Sequence, residues 1–322
     1  MKQLPQDDLV TWAAAQDIVA SITDLRVERP ALVTELARAR RRRPQLCDDG
    51  RLLIIAADHP GRRVTRVGDN RLAMADRGDY LLRVAAALRA PGTDGVMATA
   101  DVVADLLLLD HLWRQEGGPS FLDGRLVIGS MNRGGLAGSA FELNDRLTSY
   151  TAADLVRQRL DGGKLLWRAD LGSPESGLTL YRCARALDQL RRRRLPAFLE
   201  VVPATAGEAA ELAELVGVAG ALGGESAGVW LKLPWVADFA TVAAATTLPI
   251  LLLGGEVGDD PQVLLEQVAA ALACAKNVRG AMAGRNVLYP NGAEPGQLAT
   301  ALAAIIHGRT PAAAAWRAAA DT

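Results

Sequence analysis

Two lysines and two carboxylates each stand alone at or within an apolar run. Lys232 lies in Gly228-Val229-Trp230-Leu231-Lys232-Leu233-Pro234, and Lys164 in Gly163-Lys164-Leu165-Leu166. Glu200 lies in Phe198-Leu199-Glu200-Val201-Val202, and Asp58 closes the run Leu52 to Ala57. A charge in such surroundings is costly to bury, so each group needs a partner or a task. Desolvation and a neighbouring cation both depress a lysine pKa, and the neutral amine is a carbonyl nucleophile. Carboxylates nearby supply proton transfer. Each residue taken singly has a structural reading as a buried ion pair; the four together carry the inventory that imine chemistry needs. The candidate catalytic set is Lys232 as nucleophile, with Glu200, Lys164 and Asp58 around it.

The elements that position these residues follow a regular alternation. Short apolar runs occur at Leu52 to Ala57, Gly95 to Ala100, Leu126 to Ser130 and Lys164 to Ala169, then at Ala197 to Val202, Val229 to Leu233, Ile250 to Leu253 and Gly280 to Gly284. Nearly continuous apolar runs of this length mark strands buried on both faces, as in parallel sheets. Helical patterns separate them, at Tyr80 to Leu88, Ala152 to Leu160, Tyr181 to Arg193, Gly207 to Ala219 and Pro261 to Ala275. A last helix is expected from Gly296 to His307. Strand then helix, repeated to this count, predicts an α/β fold of the (β/α)8 TIM-barrel type. Residues 1–50 form an N-terminal helical extension, with helices near Asp8 to Thr23 and Pro30 to Arg43, read as a cap on the barrel bottom or an oligomer contact. Residues 51–310 form the barrel and 311–322 a C-terminal tail. A Rossmann-type sheet would show a GxGxxG turn after its first strand. Here that strand runs into Asp58-His59-Pro60-Gly61 instead.

In a barrel, function sits where the strands end. The glycines Gly254, Gly255 and Gly284, with Arg285, follow the seventh and eighth runs, where barrels commonly bind phosphate through backbone N–H groups. Asn132 and Arg133 follow the third run, Arg168 lies four residues beyond Lys164, and His59 follows Asp58. These four are expected to touch substrate, Arg168 or Arg133 serving a carboxylate.

Composition narrows the function classes. The chain has 36 basic and 37 acidic side chains, so no global charge draws it to nucleic acid or membrane. The runs Arg40 to Arg43 and Arg191 to Arg194 read as solvated helix ends. Three scattered cysteines and three scattered histidines give neither a disulfide framework nor a metal motif, so no metal or cofactor is expected. No stretch reaches membrane-span length, and the N-terminus does not read as a signal peptide. A cytoplasmic homo-oligomer acting on a small phosphorylated molecule is the expectation.

These strings resemble the class I aldolase superfamily that contains deoxyribose-phosphate, tagatose-bisphosphate and archaeal-type fructose-bisphosphate aldolases. Gly228 to Pro234, then Leu248-Pro249-Ile250-Leu251-Leu252-Leu253-Gly254-Gly255, resembles the Schiff-base lysine strand and the phosphate loop after it. Gly284-Arg285-Asn286-Val287 is similar to the final phosphate-binding strand end, and Pro196-Ala197-Phe198-Leu199-Glu200 to a strand carrying an acid/base glutamate. Lys164 and Asp58 match a second lysine and a first-strand aspartate. Where the archaeal-type branch has a tyrosine before a strand-five proline, Val202 precedes Pro203, which shifts proton transfer to Glu200. Ser130 to Gly138, with Phe141-Glu142 and Asp145-Arg146, resembles an actinobacterial aldolase-like barrel family associated with inositol catabolism. The resemblance implies retro-aldol cleavage of a phosphorylated ketose or keto acid. With the inositol link, the substrate would be 2-deoxy-5-keto-gluconate 6-phosphate, giving dihydroxyacetone phosphate and malonate semialdehyde. Two alternatives stay open: a non-catalytic regulatory barrel that binds a sugar phosphate, and an isomerase or epimerase that needs no Schiff base.

Overall fold

The computed structural model describes residues 9–14, 17–133, 136–204, 207–255, 258 and 260–320. Eight parallel strands close in sequence order into a barrel. They are β1 (Leu52–Ala57), β2 (Gly95–Ala98), β3 (Leu126–Ser130), β4 (Gly162–Ala169), β5 (Ala197–Pro203), β6 (Val229–Leu233), β7 (Ile250–Leu253) and β8 (Val278–Ala283). Both faces of each strand are covered, which is why each reads as an apolar run. The expected strand β4 gains Gly162 and Gly163, which lack side chains but still pair with Ile128 and Gly129 of β3.

Three helices precede the barrel: α1 (Leu9–Ala14), α2 (Ile18–Glu28) and α3 (Leu32–Ala39). The outer ring follows as α4 (Arg77–Arg89), α5 (Ala100–Gln115), α6 (Ala152–Arg157), α7 (Pro174–Arg192), α8 (Ala209–Gly220), α9 (Phe239–Ala244) and α10 (Gln262–Cys274). The short α11 (Arg285–Leu288), then α12 (Pro295–Ile306) and α13 (Ala312–Ala320), complete the chain. Local signals start several of these helices. Thr151 and Asp154 form a reciprocal cap on α6, and Pro174 and Pro295 open α7 and α12 at positions where an amide hydrogen is not needed. No helix of the described residues is long and apolar enough to cross a membrane.

The side chains divide by period two. Leu53, Ile55 and Ala57 of β1 pack outward under the helices. Leu52, Ile54 and Ala56 point inward, where Met97, Leu126, Ile128, Phe198, Trp230, Leu251 and Met282 join them in an inner column. Leu46 and Cys47 close that column at its N-terminal end.

Three expectations are corrected. The N-terminal helices do not cap the barrel bottom; they pack on its flank, against α4 and α5. Trp12 meets Trp113 edge-on at 5.4 Å, and Arg26 pairs with the buried Asp105. The bottom is covered by the following loop. The arginine run there is no solvated helix end: Arg40 is buried, paired with Asp161 at 2.8 Å, and Arg43 pairs with Asp94. The segment 311–322, expected as a tail, contains α13, which packs on α12 and α10.

Candidate active site

Strand register builds the site. Ser130 lies beside Lys164, Leu166 beside Glu200, and Glu200 beside Lys232. Inward-facing positions recur every second residue, so the apolar column of the lower barrel gives way, one layer up, to charged side chains. Asp58 enters from the end of β1 and completes the group.

The four expected catalytic residues form one connected network. Lys164 Nζ lies 2.9 Å from Asp58 Oδ2 and 2.6 Å from Glu200 Oε2. Lys232 Nζ lies 3.0 Å from Glu200 Oε1. The 2.6 Å contact is an ion pair whose angles do not suit a hydrogen bond, since Glu200 Oε2 has no hydrogen-bond partner among the described residues. Glu200 therefore bridges the two lysines. Ser130 Oγ lies 3.4 Å from Asp58 Oδ2 and donates to the Asn132 carbonyl at 2.8 Å. Asp58 Oδ1 is buried with no hydrogen-bond partner among the described residues.

The two lysines are not equivalent. Lys164 is 0 % exposed and held by two carboxylates, whereas Lys232 is 3 % exposed and has one. Burial, set partly against the Glu200 charge and reinforced by Lys164, lowers the Lys232 pKa. Burial alone would raise both carboxylates, but the cations prevail. Lys164, then Arg62, hold Asp58 well below the usual carboxylate range. Lys164 and Lys232 do the same for Glu200. Both carboxylates are thus ionised at neutral pH, and burial favours the neutral amine of Lys232.

The flanking residues are placed differently from expectation. Asn132 does not reach the site: its side chain donates to the Leu166 carbonyl at 2.7 Å and accepts from the Leu166 N–H at 2.6 Å, extending the ladder from β3 to β4. Arg133 donates to Thr148 Oγ1, at 2.7 Å from Nη2, and lines a cavity of about 320 Å³ within the loop after β3. Arg168 is ion-paired with Glu142 of that loop at 3.0 Å. His59 is buried, and burial together with Arg62 and Arg285 lowers its pKa to about 3, despite Asp58, so it presents a neutral imidazole.

The phosphate expectation divides. Gly254 and Gly255 line a cavity of about 230 Å³ with Pro234, Trp235, Asn286 and Asn291, beyond the ends of β6 to β8. Gly255 has φ +75° with open space where a Cβ would stand, so its backbone is bare to that cavity. Gly284 serves another purpose: a Cβ there would lie 2.2 Å from His59 Cε1 and 2.4 Å from the Ala56 carbonyl, so glycine is what lets His59 pack in. Arg285 is half-buried beside this packing and does not line the cavity. Gly134 and Gly135, within the quoted stretch Ser130 to Gly138, lie outside the described residues.

One residue passed over in the sequence is Arg62, whose charge acts on Asp58, His59, Glu200 and Lys232. Its signal was its place, four residues beyond Asp58 in the loop after the first strand. Arg63 and Arg66 beside it made it look like surface composition.

Comparison with known proteins agrees with this architecture. The family model described as Cgl0159-like matches residues 50–304. The crystal structure of Cgl0159 from Corynebacterium glutamicum is 36% identical, with a TM-score of 0.82, covering 91% of this chain and 98% of that one. An archaeal fructose 1,6-bisphosphate aldolase shares the fold at 19% identity and a TM-score of 0.60, over 86% of this chain and 99% of that one. A fructose-bisphosphate aldolase from Slackia heliotrinireducens does so at 16% identity and 0.65, over 95% and 91%. A 2-amino-3,7-dideoxy-D-threo-hept-6-ulosonate synthase from Archaeoglobus fulgidus is 38% identical over 78 residues, 24% of this chain and 28% of the synthase. With a family model spanning most of the barrel and a relative matched over nearly its whole length, the chain belongs to the Cgl0159-like family.

Proposed function

We propose that this protein is a class I aldolase in which Lys232 forms the Schiff base. The observation that carries the reading is the asymmetry of the network: Lys232, 3 % exposed, has a single carboxylate partner, while Lys164, 0 % exposed, is held between two. Lys232 Nζ adds to a substrate carbonyl and water leaves, giving an iminium. Glu200 or Asp58 takes the proton of the β-hydroxyl, the carbon–carbon bond breaks, and its electrons neutralise the iminium as an enamine. The aldehyde departs, the enamine is protonated at carbon, and water releases the second product and the free amine. Lys164 keeps both carboxylates ionised in the resting state, and the neutral His59 adds a hydrogen-bonding group at no charge cost.

Schiff-base-forming fructose-1,6-bisphosphate aldolases share this fold, which supports the reaction class. A phosphate bound at the bare backbone of Gly255 would anchor one end of a ketose or keto-acid phosphate. The 2-deoxy-5-keto-gluconate 6-phosphate expected from the resemblance satisfies this chemistry.

The test is borohydride trapping. Sodium borohydride with a ketose phosphate should reduce the imine and leave a mass adduct mapping to Lys232 by peptide mass spectrometry. An adduct confined to Lys164, or turnover persisting in folded Lys232→Ala, overturns the assignment. Turnover without any adduct favours an isomerase.

A further inference from the structure

Arg62 ends the turn Pro60–Arg62, just beyond Asp58 and His59. This turn leans across the mouth of the barrel. The Arg62 carbonyl accepts from the Ala137 N–H at 3.0 Å, in the loop after β3. A Cβ on Gly61 would lie 2.8 Å from Thr99 Cγ2, at the end of β2. The turn is therefore held over β2 and β3, on the other side of the mouth from Gly254 and Gly255. The Arg62 guanidinium has no hydrogen bond or ion pair among the described residues, and its Nε is buried. A buried donor left unmade is costly, and at a site's edge that cost is recovered when a ligand supplies the acceptor. The two arginines expected to meet a substrate carboxylate are already engaged, Arg168 by Glu142 and Arg133 by Thr148.

We propose that Arg62 binds a second anionic group of the substrate, a terminal carboxylate or phosphate, at the end of the mouth opposite the glycine cavity. This deepens the aldolase reading and rests on it for the position of the substrate carbonyl. The substrate class is an open-chain keto sugar with an anion at each end, the reactive carbonyl lying between them at Lys232. A planar guanidinium suits either anion, because two parallel N–H groups match two oxygens.

The test compares calorimetric Kd values for wild type, Arg62→Ala, Arg62→Gln and Arg62→Lys. The probes are dihydroxyacetone phosphate, with one anion, and two with a second: fructose 1,6-bisphosphate and 2-deoxy-5-keto-gluconate 6-phosphate. Removing the guanidinium should weaken at least one doubly anionic probe by tenfold or more, on the order of a lost charge-assisted contact, and leave dihydroxyacetone phosphate within about threefold. Arg62→Lys should recover part of the loss. Which of the two probes responds tells carboxylate from phosphate. Equal weakening of all three probes, no weakening, or a wild type that binds neither doubly anionic probe more tightly than dihydroxyacetone phosphate overturns the proposal. Arg62→Gln keeps size and hydrogen bonding, so it carries the test should the alanine variant not fold. Borohydride trapping of wild type reads the Schiff base separately: no adduct, with probe selectivity intact, sinks the aldolase reading and leaves the Arg62 site standing.

Discussion

Charged side chains are buried at both ends of this barrel, and the two sets are finished differently. At the N-terminal end, Arg40 donates to the carbonyls of Arg125 and Arg159 at 2.8 and 3.0 Å and to Asp161 at 2.8 Å. Asp161 in turn accepts from Arg42 at 2.7 Å and from the Val127 N–H at 2.8 Å. Asp94 accepts from the Leu53 N–H at 2.7 Å and pairs with Arg43. These charges are tied into backbone that would otherwise be unsatisfied. At the C-terminal end, Asp58 Oδ1 and Arg62 Nε are buried without a hydrogen-bond partner among the described residues, and Lys232 leans on one carboxylate. Saturated networks fix geometry; unsaturated ones hold capacity in reserve for a ligand. The contrast follows the division of a barrel into a stability face and a reactive face.

The sharpest way to break the comparison is to remove one charge from each end. Lys232→Met replaces an amine by an apolar chain of similar length, and Glu200 keeps Lys164 as partner. Turnover and trapping should vanish while the thermal midpoint stays close to wild type, since the Glu200 charge is still compensated by Lys164 and no buried ion is left alone. A large drop in Tm would show that Lys232 is structural.

Glu200→Gln should lower turnover by ~10²–10⁴-fold, the usual worth of a positioned acid or base. An adduct on Lys232 should still accumulate, more slowly. Circular dichroism must show the variant folded; a folded variant at wild-type rate moves the role to Asp58.

At the opposite end, Asp161→Asn strands the buried Arg40 and should cost about 3–5 kcal/mol of stability in denaturant unfolding. The kcat of the protein that remains folded should be unchanged. A fall in kcat matching that of Glu200→Gln would erase the distinction between the two faces.

The smallest effect belongs to Arg285→Ala. If Arg285 assists the glycine loops, KM for a phosphorylated substrate should rise by ~10- to 100-fold with kcat preserved. Its position beside His59 and outside the glycine cavity makes the opposite pattern informative. A fall in kcat at constant KM would assign it to holding His59.

The barrel was legible in the chain because burying a strand on both faces leaves no freedom in its sequence. Leu52 to Ala57 and Ile250 to Leu253 carry no polar residue, and the structure places β1 and β7 at those bounds. Lys164, Glu200, Lys232 and Asp58 were legible for the complementary reason: a charge inside or at the end of such a run is too costly to be accidental. What the local sequence could not carry was pairing between distant segments. Asn132 looks like a ligand until Leu166 appears beside it, and Arg168 looks open until the loop carrying Glu142 folds back. Arg40 and Asp161 are far apart in the chain and meet only when the bottom loop crosses the barrel end. The sequence determined which side chains would enter the barrel, since the period-two alternation of a buried strand is local. Tertiary structure decided which charged partners each of them meets, because a partner is a matter of proximity in the closed barrel, and that difference separates Lys232 from Lys164 and Arg62 from the ion-paired Arg168.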